Sequence, residues 1–539
     1  MGGIADPFHG LIYAYPVFRW PGEGELGMWL GMARHGGGFS PRRVALAALV
    51  VALALTGCGE GGERASDGSD AVARDGWSAP NGDAANHRRV DGPIDAESVA
   101  RLRVAWTVPL TAGYAATPIV TDGVVYTQDL QSNVYAIDLD SGSVLWKKVY
   151  DEADIGPNGV NVVGDRVFGA TRTRAFALDA SSGEEQWSTT LARRPGDVID
   201  MAPGYEEDTV YVSTAVAGAG AVGTLWALDA QTGEPRWRWA QVPADLWGRP
   251  EVNSGGGMWH PPAFDGRGNL YASIANPLPF PGTGERPWGA SRPGANRWTN
   301  SLVKLDARTG RFLWGRQVLP HDVYDWDLQV PAILDRVGGR LVAVTAGKMG
   351  IVYAFDAADG ALLWKRPVGL HNGHDRDNLR AMRGDYDPQL PQTILPGWWG
   401  GVETQMASDG RTVYVPVNNL PIVYRSQTEL ETEDPMKGTG EVVAIDVATG
   451  RVRWDRRLPH SPYGAATISS DLVFTTTYDG TVWALRRDTG EIAWRARLPF
   501  ATNAPLAIAG DTLVTAASVP QQEGQQPQVV AYRLADGNG

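Results

Sequence analysis

The chain has 539 residues, 43% of them hydrophobic and 20% charged, a balance that provides for a packed core and excludes a chain disordered throughout. A formal charge of −13 excludes nucleic acid as the expected partner, because a phosphate backbone calls for a basic face. Gly 66, Pro 36 and Trp 21 are high counts, and frequent turns with a recurring aromatic point to an all-β repeat.

The first feature in chain order is an export signal. Arg42 and Arg43 precede an apolar run of about 12 residues (44–55), well short of the ~20 that span a bilayer, and Leu55-Thr56-Gly57-Cys58 follows. This predicts a secretory signal. The Leu-Thr-Gly-Cys stretch resembles the bacterial lipoprotein processing box, which implies that Cys58, the single cysteine, is lipidated and anchors an extracytoplasmic protein to a membrane, in the periplasm or on the cell surface. Residues 1–31 do not resemble a signal, and Met32 would open one of ordinary length. Residues 58–76 are small and polar and predict a flexible tether, so one globular domain is expected over 77–539.

That domain repeats one pattern seven times, at 134–146, 175–187, 225–237, 302–314, 352–364, 442–454 and 482–494. Each copy has an alternating apolar stretch, an Asp, a Gly four residues on and a Trp eight residues on; the last has Arg486 in place of the Asp. The pattern is a β-hairpin whose Asp accepts local N–H groups and whose Gly supplies positive φ. An eighth copy is split: 529–537 begins the pattern without its Trp, and 101–109 supplies Trp106 without the preceding part. The expected fold is therefore an all-β, eight-bladed β-propeller, its ring closed by N- and C-terminal strands. The Asp positions 138, 179, 229, 306, 356 and 446, with Arg486, are spaced by 41, 50, 77, 50, 90 and 40 residues. A blade needs about 40–50, so the excess falls within 238–301 and 365–441, where insertions are expected to build the functional face.

The hairpins resemble the tryptophan-docking motif of the pyrroloquinoline-quinone (PQQ) dehydrogenase propellers and, equally, of the outer-membrane assembly lipoprotein scaffold. Further segments resemble the dehydrogenases, and the roles that follow are what this resemblance implies. In GGGMWHPPAFDGRGNLYASIANPLPF (255–280), Trp259 would form the floor under the quinone and Asn276 would ligate the metal, Ca²⁺ or a lanthanide. In LPHDVYDWDLQVPAIL (319–334), Asp325 would be the catalytic base and a metal ligand, and Asp327 the extra carboxylate of lanthanide-type members. On an extended segment the two would point the same way. Lys348, one of six lysines, would face the quinone oxygens, and 397–419 would supply a pocket wall.

Departures from that family are equally visible. The adjacent cysteine pair of alcohol-oxidising members is absent, Asn158 stands where members place an Arg, and Gly218 stands where they place a metal-ligating Glu. Asp327 or a residue such as Asp200 would have to compensate. With no Cys-x-x-Cys-His, a covalent haem is not expected and an external electron acceptor would be needed. Two functions stand: a quinoprotein dehydrogenase oxidising a small alcohol or sugar, and a non-catalytic scaffold holding envelope protein partners.

Overall fold

The computed structural model describes residues 76–535. The signal segment, Cys58, nearly all of the tether and the end of the split repeat lie outside the described residues.

Among them are eight sheets built on four antiparallel strands, and two of these sheets gain a fifth. Arg89–Val90 adds in parallel to Thr467–Ser469, and Asp197–Val198 and Gly204–Glu206 both pair with Thr209–Val216. The four-strand sets run over 119–148, 160–190, 204–240, 263–317, 333–367, 407–458, 467–497 and 507–534. The last sheet takes its outermost strand, Leu102–Pro109, from the other end of the chain; it pairs with Gln528–Leu534, setting Trp106 opposite Ala531. The two half-repeats thus share one sheet. Inner strands such as Leu472–Thr476 are buried along their whole length, whereas outer strands such as Ile492–Arg497 alternate with solvent, as sheets packed face to face require. The chain is an all-β propeller.

The docking hairpins explain why the Asp, Gly and Trp recur. In the second copy, Asp179 Oδ1 accepts the N–H groups of Ser181 and Ser182, which fixes the turn. Gly183 takes φ +73, and a Cβ there would lie 2.6 Å from the Trp146 ring of the preceding sheet. Trp146 Nε1 donates to Ala180 O at 2.9 Å. The same donation links Trp106 to Leu139, Trp187 to Ala230, Trp237 to Ala307, Trp314 to Ala357, Trp364 to Val447 and Trp454 to Arg487. Each Trp therefore ties its own sheet to the next.

The segment after Trp77 has no counterpart in the repeats. Its carbonyls at Ala84, Ala85, His87 and Arg88 accept from Phe264, Leu334, Ser408 and Ile468, satisfying inner-strand N–H groups that would otherwise be unpaired. Arg88 is fully buried. Its guanidinium donates to Ala466 O, Pro80 O and Leu506 O and to Asn81, Thr117 and Thr467 side chains.

The two long intervals hold blade strands as well as additions. The first adds a small sheet pairing Ser254–Gly255 with Pro277–Leu278. The second adds the helix Asp377–Arg383 and a three-stranded sheet of Gln392–Ile394, Ile422–Tyr424 and Leu430–Thr432.

Candidate active site

Five residues singled out in the sequence meet at one place, and a further carboxylate, Asp322, holds the loop that carries two of them. Asp322 Oδ1 accepts from Tyr324 N at 2.9 Å, and its Oδ2 accepts from Trp326 N at 2.7 Å and Asn300 Nδ2 at 3.1 Å. Burial pushes its carboxyl up to about 6. His321 lies 3.0 Å from Gly294 O, and burial pushes its imidazole down to about 4. Trp326 Nε1 donates to Pro396 O. His321, Asp322 and Trp326 therefore position the loop.

Asp325 does not lie on an extended segment. It takes φ +61, a left-handed conformation that costs a non-glycine residue about 1–2 kcal/mol. Asp325 and Asp327 still converge, but through this tight, Asp322-anchored loop and not through strand alternation.

Lys348 sits in the turn between the strands Arg340–Gly347 and Ile351–Asp356. Its N–H donates to Asp327 O at 3.0 Å, and a Cβ on Gly347 would lie 1.9 Å from that same oxygen, so the approach requires glycine. Lys348 Nζ is 2.8 Å from Asp325 Oδ2 and 2.8 Å from Asp327 Oδ2. The Asp327 contact is an ion pair without hydrogen-bond geometry. Asn276, just beyond the strand Asn269–Ile274, donates its N–H to Asp327 Oδ1 at 2.7 Å and Nδ2 to Asp325 Oδ1 at 2.6 Å. Trp259 is half-buried with the Lys348 ammonium 6.0 Å from its ring centroid, and its Nε1 has no hydrogen-bond partner.

Burial raises the Asp325 carboxyl well above the usual range; Lys348 opposes the rise and Asp327 adds to it. Burial alone would depress the Lys348 ammonium, but Asp325 and Asp327 outweigh it and hold the group well above its ordinary value.

One member of the cluster was missed in the sequence. Glu403 lies in the segment 397–419, read only as a wall, and its charge bears on Lys348 and Asp327. Burial pushes its carboxyl up to about 7, with Lys348 opposing, and Oε2 is buried without a hydrogen-bond partner. Two residues on, Gln405 Nε2 lies 3.1 Å from His260 Nδ1, beside Trp259. No local pattern marks Glu403, whose setting is made by pairing distant turns.

The departures keep to themselves. Asn158 is buried, with Nδ2 donating to Asp129 O and Oδ1 unpaired. Gly218 lies against Gly196. Asp200 is raised well above the usual range by burial and then by the neighbouring Asp154.

The donor chemistry fits a hard cation: two carboxylates and an amide supply oxygens, and Asp327 Oδ2 lacks a hydrogen bond. No three His, Cys, Asp or Glu side chains form a ready metal cage among the described residues, and at this site the Lys348 ammonium bridges the two carboxylates. The half-buried indole of Trp259, with a cation above it, fits a flat anionic quinone.

A propeller tied by docking tryptophans, with a lysine-bridged carboxylate pair beside an aromatic face, defines a PQQ-type propeller. Comparison with known proteins agrees. The family described as "Outer membrane protein assembly factor BamB" matches 100–198, 131–257 and 348–539, more than half of the chain. The family described as "Glucose/ethanol/alcohol dehydrogenase, beta-propeller domain" matches 198–369, the interval that carries Trp259, Asn276, Asp325, Asp327 and Lys348. The chain belongs to the PQQ-type β-propeller family that these two describe. The quinohemoprotein alcohol dehydrogenase of Comamonas testosteroni is 29% identical over 467 residues, covering 72% of this chain and 64% of the relative. The quinohemoprotein alcohol dehydrogenase ADH-IIG of Pseudomonas putida is 27% identical over 477 residues, covering 73% and 65%. The chain thus spans slightly less than two thirds of these relatives. A europium-containing methanol dehydrogenase shares the fold, with TM-score 0.70 and 20% identity, covering 85% of this chain and 98% of that one. No helix among the described residues is long and apolar enough to cross a membrane.

Proposed function

We propose that the protein is a quinoprotein dehydrogenase that oxidises a small alcohol or sugar, using PQQ with Ca²⁺ or a lanthanide. The observation that carries this reading is the convergence of Asp325, Asp327, Asn276 and Lys348 beside Trp259, brought together from separate segments. Four of these five residues fall in the gap left by the assembly-factor match and inside the dehydrogenase match, which supports the enzyme reading.

When bound, the quinone supplies a two-electron acceptor and the metal a Lewis-acidic charge. Trp259 and Lys348 would hold the quinone, and Asn276, Asp325 and Asp327 the metal. Asp325, raised by burial, receives the substrate hydroxyl proton at Oδ2, a carboxylate basic enough to hold it. Lys348 keeps its positive charge beside that carboxylate and faces negative charge developing on the acceptor. Asn276 Nδ2, hydrogen-bonded to Oδ1, orients the Asp325 carboxylate. Electrons leave to an external acceptor. We read the eight sheets as one closed ring of eight blades over 77–539, exported and anchored through lipidated Cys58.

The test is dye-linked oxidation of a panel of alcohols and sugars by the purified full chain loaded with PQQ and Ca²⁺ or La³⁺. Activity that falls roughly 10²–10⁴-fold in Asp325→Asn is expected. A loaded wild type that oxidises nothing overturns the enzyme reading. It would favour the scaffold alternative, which the extent of the assembly-factor match supports.

A further inference from the structure

We propose that Glu403 is the third carboxylate of the cation site, standing in for the glutamate that Gly218 lacks. The inference rests on the reading of Asp325, Asp327 and Asn276 as metal ligands, and it names a residue outside that set.

A buried carboxylate is ordinarily paired or coordinates a metal. Glu403 Oε2 is buried without a hydrogen bond; the Gln329 side chain bears on the carboxyl, and the ionic groups that do so are Lys348 and Asp327, both at the site. Its place is fixed by backbone. Val402 N donates to Gly347 O at 3.1 Å, and a Cβ on Gly401 would lie 2.1 Å from Lys348 O, so the Glu403 segment is clamped onto the lysine turn. Across from it, Gln329 Nε2 donates to Glu403 O at 2.6 Å, tying Glu403 to the loop that carries Asp325 and Asp327.

Charge points the same way. Asp325 and Asp327 against the Lys348 ammonium leave a net charge of about −1, too little to hold a divalent or trivalent hard cation well, because affinity for such ions rises with the number of charged oxygen ligands. Once ionised, Glu403 brings the cluster to about −2, and a bound cation would favour that ionised form against the rise that burial imposes. At Gly218 no side chain can do this, and the nearest atom a Cβ there would meet is Gly196 Cα at 3.3 Å, so that position is tight but open to one.

The experiment uses the full chain, stripped with chelator and titrated with Tb³⁺, reading tryptophan-sensitised terbium luminescence, with La³⁺ and Ca²⁺ as competitors. Glu403→Gln is expected to weaken Tb³⁺ at least about tenfold, whereas Glu429→Gln, an exposed site, leaves it unchanged. Melting curves without metal report whether each variant folds. Should Glu403→Gln not fold, Glu403→Asp takes its place, with a smaller loss expected. Unchanged affinity in the folded Glu403 variant overturns the role of Glu403 and leaves the other ligands standing. A wild type that binds no terbium overturns both.

Discussion

Gly183→Ala is the sharpest probe of how the sheets are joined. The substitution keeps a left-handed residue at φ +73, costing about 1–2 kcal/mol, and sets a methyl group 2.6 Å from the Trp146 ring. Relief requires the indole to shift, with an overpacking cost of about 1–3 kcal/mol. The Nε1 bond to Ala180 O, worth about 1 kcal/mol, is lost if the ring moves. The expected total is about 3–6 kcal/mol. Gly164→Ala is the control: φ is +58, with nothing within 4 Å of the added Cβ, so only the backbone cost of about 1–2 kcal/mol applies. Guanidinium unfolding followed by circular dichroism compares the two. Equal midpoint shifts would refute the claim that tryptophan–glycine stacking holds neighbouring sheets together.

Three further outcomes are expected. Arg88→Met leaves the carbonyls of Ala466, Pro80 and Leu506 without their donor, at about 1–3 kcal/mol for each that stays unsatisfied, and thermal melting should report a loss of at least about 3 kcal/mol. His87 is held well above its ordinary value by Asp83 and Asp335 against the pull of burial. Its stabilisation is therefore full below about pH 6.5 and fades as pH rises through the folded-state value, a decline that His87→Gln should abolish in melting curves across that range. Asp322→Ala removes the acceptor of the Tyr324 and Trp326 N–H groups, and a denaturant midpoint should show a loss of about 2–4 kcal/mol.

The hairpins were legible because Asp, Gly and Trp each serve a contact of fixed geometry, so the pattern survives sequence change around it. Trp106 and the strand 529–534 were readable as halves of one sheet for the same reason. Trp259, Asn276, Asp325, Asp327 and Lys348 were legible as a set through resemblance, although the reason given for the two aspartates was wrong: Asp325 is left-handed, and Asp322 shapes the loop. Two things were hidden. Glu403 looks like any acidic loop residue until the Gly347–Val402 contact sets it beside Lys348. The segment 77–91 carries no periodic pattern, and nothing local marks Arg88 as a buried residue, because three of its six acceptors, Ala466, Thr467 and Leu506, lie 378, 379 and 418 residues further along the chain.

The most direct test of the central claim is a titration of PQQ into the full chain with La³⁺ or Ca²⁺, following tryptophan fluorescence. Tight, metal-dependent quenching is predicted, weakened in Trp259→Phe and lost in Asp325→Ala/Asp327→Ala. Absence of binding with either metal, or binding untouched by these substitutions, would contradict the assignment of this cluster as a quinone and metal site.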